Sequence, residues 1–355
     1  MSNKKGILKI LITLFLISLI TVLIIFSDVC KSGVERGLLI CGNVIIPSIF
    51  PFSVCVLFIL NMNISINSKR LSKVLNKFLG QNFDMFVVTI FSLIGGYPIG
   101  CKLVNELYTQ QKIDKKTANI MQMYCVNAGP AFIITAVGSG ILNSKTVGLI
   151  LFFSHLTSTL IITTVCGKFT RKNLKTVNFK TNNIKTLAEI FVSSTSNAAS
   201  SVINICIYVI LFSVLNSYIT YFLGDIPILK NMLFFTEVTS ALTYTKNAVF
   251  IAFLLGFAGI SVWCQIFSVS KEAKPDFKLF VLGRFLHGGL SSAITYFLLK
   301  VFKIKQNVFS NLLNNSVKIC YDDISVSFSL AIMIIVLLIY IYSKNSSRKL
   351  LDDVI

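Results

Sequence analysis

The sequence predicts an all-α polytopic membrane protein with about eight transmembrane helices plus two re-entrant hairpins in an inverted repeat. Three observations carry this reading. The 355 residues are 54% hydrophobic and only 13% charged, with a mean hydropathy of +0.78, whereas a soluble domain carries about 25% charge. Basic residues outnumber acidic ones 33 to 14. In so apolar a chain that excess marks loops held on one side of a bilayer, so the expected partner is lipid and no nucleic acid. Finally, apolar runs of about 20 residues recur along the chain, with short connections and no room for a large soluble domain.

The first run, 7–27, follows Lys4 and Lys5. It is longer than a signal-peptide core, and Ser27-Asp28-Val29-Cys30 offers no small-x-small cleavage site, so an uncleaved span is expected. Runs at 38–60, 118–142, 146–167, 200–223, 248–269, 279–299 and 327–343 complete the eight. Two further segments are short and polar at one end. Residues 84–100 close on Gly95-Gly96-Tyr97-Pro98-Ile99-Gly100 and run into Lys102 and Glu106; 228–245 carry Glu237 among Thr236, Thr239, Ser240 and Thr243. Freed backbone groups and charges need protein or water around them, so both segments read as hairpins that enter and return. The loop charges agree. With both hairpins, 23 of the 33 basic residues fall on the side of the termini, 9 on the other, and Arg284 lies within a span. That bias makes both termini cytoplasmic. Lys31 and Arg36 fall on the opposite side, in an external loop.

The domain plan follows. Residues 1–37 form an N-terminal anchor span, 38–167 a first repeat, 168–186 a basic cytoplasmic linker and 187–300 a second repeat. Residues 301–355 hold an external loop or interfacial helix (306–326), the last span and the C-terminal tail. The first repeat reads span, hairpin from inside, span with a Gly-Pro break, span. The second reads span, hairpin from outside, span with a Gly-rich break, span. Two halves of one plan and opposite orientation are the architecture of many secondary transporters.

Four polar interruptions sit at corresponding places. They are Gly96-Tyr97-Pro98-Ile99-Gly100-Cys101-Lys102, Asn127-Ala128-Gly129-Pro130, Thr236-Glu237-Val238-Thr239-Ser240, and Gly256-Phe257-Ala258-Gly259-Ile260-Ser261 followed by Gln265. Gly and Pro break helices near mid-membrane and leave N–H and C=O groups free to hold a solute or an ion. The candidate binding residues are therefore Gly96, Tyr97, Pro98, Gly100, Lys102, Asn127, Gly129, Pro130, Glu237, Thr239, Ser240, Gly259, Ser261 and Gln265. Lys102 either pairs with an anionic substrate at a hairpin tip or snorkels to the cytoplasm beside Glu106. Glu237 either couples a proton or cation or joins a hydroxyl network with its Thr and Ser neighbours. Arg284 reads as snorkelling to the inner face, and His287 as packed or pore-facing.

The nine cysteines are scattered without a Cys-x-x-Cys pair, and the two histidines, His155 and His287, are distant in sequence. No His-Glu-x-x-His, phosphate-binding loop or Gly-x-Ser-x-Gly elbow occurs, so no cofactor, no metal and no enzyme activity are expected.

Read in order, Pro47-Ser48-Ile49-Phe50-Pro51-Phe52, the Gly96–Lys102 run, Asn127-Ala128-Gly129-Pro130-Ala131-Phe132-Ile133, Glu237-Val238-Thr239, the Gly256–Val262 run with Gln265, and Arg284-Phe285-Leu286-His287 resemble the sporulation integral membrane protein YlbJ family, also called stage V sporulation protein V. The resemblance covers roughly residues 35–300. It implies nucleoside-recognition, or Gate, domains distantly similar to concentrative nucleoside transporters. It further implies a role in endospore formation: moving dipicolinate, a small aromatic dicarboxylate, across the outer forespore membrane. One departure is Trp263, which stands where the family pattern places a histidine. Alternatives of other classes are a nucleoside or nucleobase carrier and a non-transporting scaffold for spore-envelope assembly.

Overall fold

The computed structural model describes residues 2–62, 69–170, 186–224, 233–242 and 245–304, and every regular element among them is helical. The predicted span 327–343, the segment 306–326, the C-terminal tail, most of the basic linker and parts of the second hairpin lie outside the described residues.

Helix α1 (Ser2–Ile25) is apolar, and most of its described side chains are exposed. The chain then turns only at Phe26 and resumes as α2 (Ser27–Ile40). The external loop expected at 28–37 is therefore a helix. Its reason is close packing: Gly33 and Gly37 bring the backbone against Val214 and Ile210, with no space for a Cβ. A π-helical turn at Cys41–Ile45 joins α2 to α3 (Ile46–Asn61). Pro47 has no N–H for the ladder, and the wider turn re-pairs the backbone, Ile46 N–H donating to the Cys41 carbonyl.

Helix α4 (Lys69–Leu79) ends on Gly80, and Asn82 caps α5 (Phe83–Gly95) by accepting from Met85 N–H at 2.9 Å. At Gly96 φ is +88°, a conformation that favours glycine. There the chain reverses into α6 (Tyr97–Thr109), whose Pro98 suits a helix start. The segment predicted as the first hairpin, 84–100, contains this break. Asp114 caps α7 (Lys115–Gln122), the backbone unwinds over 123–129, and a π-helical segment, Phe132–Ile141, leads to α8 (Lys145–Thr170). The span predicted at 118–142 is thus two half-helices around the Gly-Pro break.

A capping box of Thr186 and Glu189 opens α9 (Leu187–Leu223), which runs antiparallel along α2 and α3. Asn61 donates to Ser194 Oγ at 2.9 Å at one end, and Tyr218 donates to the Phe26 carbonyl at 2.9 Å at the other. The short α10 (Val238–Leu242) precedes α11 (Ala248–Phe257). Ala258 (φ +72°) and Gly259 (φ +66°) then break the helix before α12 (Gly259–Val269). Asp276 caps α13 (Phe277–Val301), completing the described chain.

Among the described residues four stretches are long and apolar enough to cross a membrane: Ser27–Ile59, Lys145–Phe169, Leu187–Leu223 and Ala248–Val269, with shorter apolar helices beside them. The core has two large parts. One gathers Tyr97, Phe132, Leu151, Ile251, Leu255 and Phe280; the other gathers Met85, Ile99, Leu103, Met121, Tyr124 and Ile162. A smaller one, with Cys41, Ile45, Val202, Ile205 and Val209, lies between α9 and the α2–α3 rod.

Candidate functional site

The break in each half of the molecule brings backbone and polar side chains to one cleft. Gly96, Tyr97 and Pro98 at the hairpin tip, Gly129 at the end of the first unwound segment and Phe132 beyond it, Glu237 just before α10, Val238 and Thr239 on α10, and Val262 and Gln265 on α12 face Ile45, Ile49, Ile205 and Val209. The last four make an apolar wall; the polar groups all come from the other side. At its centre the cleft has room for about one water molecule. Glu237 is 1% exposed, and its Oε1 accepts from Thr239 N–H at 2.8 Å. Gln265 is equally buried, and its Nε2 finds no partner among the described residues, as is true of Ser261 Oγ. Such buried donors call for a ligand or water.

The cleft is fixed from behind. The Tyr97 hydroxyl donates to the Leu255 carbonyl at 2.8 Å, tying the hairpin tip to the end of α11. Ile260 and Ser261 N–H donate to the Phe235 and Thr236 carbonyls, both at 2.8 Å, so the start of α12 holds the turn that leads into Glu237. Thr236 in turn donates to Asn216 Oδ1 of α9 at 2.9 Å.

Arg284 is the residue the sequence misjudged. It does not snorkel: it is fully buried. Its Nη1 donates to the carbonyls of Val126 (2.6 Å) and Gly256 (3.2 Å), and its Nη2 to that of Met123. Met123 caps the C-terminus of α7 and Gly256 lies in the last turn of α11. Each such end carries roughly half a negative charge, so two half-helices together neutralise one guanidinium. Gly283 makes this possible by letting α13 touch the Met123 backbone. The signal was in the sequence: Arg284 is the eighth residue of its helix, too far in to reach the near end.

Beside it lies a hydrogen-bonded cluster that the sequence did not assemble. Asn127 donates to Ser92 Oγ and to the Tyr124 carbonyl, both at 2.8 Å, and accepts from Thr159 at 2.8 Å. Ala128 N–H donates to His155 Nε2 at 3.1 Å. The His155 and His287 rings, 132 residues apart in sequence, stand 4.3 Å apart. His287 is packed rather than facing the cleft.

Of the fourteen residues singled out from sequence, Gly96, Tyr97, Pro98, Gly129, Glu237, Thr239 and Gln265 line the cleft. Gly259 packs on Val238, and Ser261 is buried one turn before Gln265. Asn127 supports the unwound backbone, and Pro130 follows Gly129 at its edge. Gly100 admits the Cys125 carbonyl where a Cβ would collide with it. Ser240 lies within α10. Lys102 is not at the tip: it is half-buried on α6, about 9 Å of helical rise beyond Gly96 and four residues before Glu106. Trp263, at the departure from the family pattern, donates Nε1–H to the Phe257 carbonyl at 2.9 Å and closes the end of α11.

No family profile matches the chain, and no solved structure does. One curated protein is similar along most of its length: "Sporulation integral membrane protein YlbJ" of Bacillus subtilis (strain 168), 22% identical, with 84% of each chain covered. The resemblance carried by the short motifs at the cleft and at Arg284 is therefore met by a similarity to the sporulation integral membrane protein YlbJ that runs through both halves of the chain.

Proposed function

We propose that the chain is a secondary transporter or facilitator of a small organic anion, dipicolinate, across the outer forespore membrane during sporulation, with both termini cytoplasmic. The observation that supports it is the convergence of a hairpin tip and two broken helices on one buried cleft, the arrangement expected of a midplane solute site. The two halves move as inverted repeats about this cleft in alternating access. With space for about one water, the present conformation is closed, and cargo enters only when the apolar wall and the polar side part. The positive end of α6 and the Gln265 amide face a carboxylate of the cargo, and Glu237 carries the coupling proton or cation.

A second reading rests on one observation: among the described residues no Lys or Arg lines the cleft. A carboxylate and an amide opposite apolar walls suit a neutral nucleoside or nucleobase, to which they can both donate and accept.

Uptake into proteoliposomes decides between them. Dipicolinate uptake that falls at least tenfold in Gln265→Ala supports the first reading; uridine uptake, or uridine competition without dipicolinate flux, supports the second. If neither crosses, the chain is a membrane scaffold for spore-envelope assembly and the transporter reading fails.

A further inference from the structure

Helix α4 takes no part in the cleft, and its composition differs from that of the apolar helices around it. Its sequence, Lys69-Arg70-Leu71-Ser72-Lys73-Val74-Leu75-Asn76-Lys77-Phe78-Leu79, has four basic residues and no acidic one. At 3.6 residues per turn, the register positions of Lys69, Arg70, Lys73 and Lys77 fall within about 100° of the helix circumference. Those of Leu71, Val74, Leu75, Phe78 and Leu79 fall within about 140° on the other side. This separation is the pattern of a helix lying in the plane of a membrane interface.

The surroundings agree. Leu75 is buried against the protein, whereas Val74 and Phe78 are 52% and 64% exposed. The helix ends on Gly80 (φ +64°), whose backbone touches Gly167 in the last turns of α8, leaving no space for a Cβ on either glycine. That contact sets α4 against the C-terminal end of α8, where Val165, Lys168 and Phe169 are exposed. Exposed Val74 and Phe78 suit acyl chains, and the register positions of the four basic residues on the adjoining face suit phosphates.

We infer that α4 binds the anionic phospholipids of the leaflet it lies against, and so anchors the first hairpin to the membrane surface. Only Gly80, Gln81 and Asn82 separate α4 from α5, so lipid held by α4 acts on the limb that leads to Gly96. The inference stands whichever solute occupies the cleft.

The test is thermal unfolding of the detergent-solubilised full chain with added phosphatidylglycerol or phosphatidylcholine. A ligand that binds only the folded state raises the melting temperature. Phosphatidylglycerol is expected to raise it by several degrees more than phosphatidylcholine, and 1 M salt, which cuts the screening length to about 3 Å, is expected to remove the difference. In Lys69→Gln/Arg70→Gln/Lys73→Gln/Lys77→Gln the apparent affinity for phosphatidylglycerol falls at least tenfold, with each basic residue contributing on the order of fivefold. If that variant does not fold, Lys73→Gln/Lys77→Gln is expected to lose about half of the shift. Equal stabilisation by the two lipids, a shift that survives salt, or an unchanged shift in the variants overturns the inference.

Discussion

At Arg284 a full charge inside the protein is held by main-chain carbonyls from two half-helices rather than by a carboxylate. Removing it leaves three buried acceptors and two uncompensated helix ends. Arg284→Met is expected to cost about 3 kcal/mol or more, read as a fall in melting temperature, and Arg284→Lys to recover part of it. Glu237 tests the cleft itself. Glu237→Gln keeps the hydrogen bond from Thr239 N–H and removes the charge, so the fold is expected to persist while uptake drops at least tenfold in proteoliposomes. Lys102 separates two roles: Lys102→Ala that abolishes dipicolinate uptake makes it an anion partner, and unchanged uptake makes it a surface residue beside Glu106. At this scale the sequence was readable where chemistry is local. Half of the candidate residues line the cleft because Gly and Pro announce their own backbone breaks. Arg284, His155 and His287 were misplaced or left apart because their partners are backbone atoms and each other, across separations that no local pattern encodes.

The breaks are the informative elements. Ala258 holds φ +72° without being glycine, and Gly259 follows at +66°. A Cβ on Gly259 would sit 3.1 Å from Val238 Cγ2 and 3.3 Å from Val238 N. Gly259→Ala is therefore expected to cost about 1–2 kcal/mol in unfolding experiments, through left-handed strain and this contact together. Ala258→Gly is expected to be neutral or stabilising, since it relieves the same strain. The half-helices on either side were legible from hydropathy interrupted by polar residues. The run from Ser27 to Gly37 was not: its charges suggested a loop, and only the meeting of Gly33 and Gly37 with α9 explains why it stays helical.

Across the whole molecule, contacts join connections that the charge sorting placed on one side. Lys115 Nζ donates to the Lys274 carbonyl at 2.6 Å, Asn105 accepts from Glu272 and Ala273 N–H, and Gly80 meets Gly167. If that end is cytoplasmic, single cysteines at Lys116 and Lys271 in a background lacking reactive thiols are labelled in inside-out vesicles and protected in intact cells. The reverse pattern inverts the topology. Among the described residues the cleft contains no lysine or arginine, so the labelling reads the charge excess as an orientation signal alone. The Arg284 clamp also bears on how the protein is made. All three carbonyls it grips, at Met123, Val126 and Gly256, precede it in the chain. When α13 leaves the ribosome its acceptors have already been synthesised, while an arginine within a lone apolar helix opposes its insertion. If α13 crosses the bilayer, its entry is templated by the earlier helices, so truncation before Gly256 or deletion of the 123–126 segment leaves a fused α13 dependent on its own hydropathy to cross.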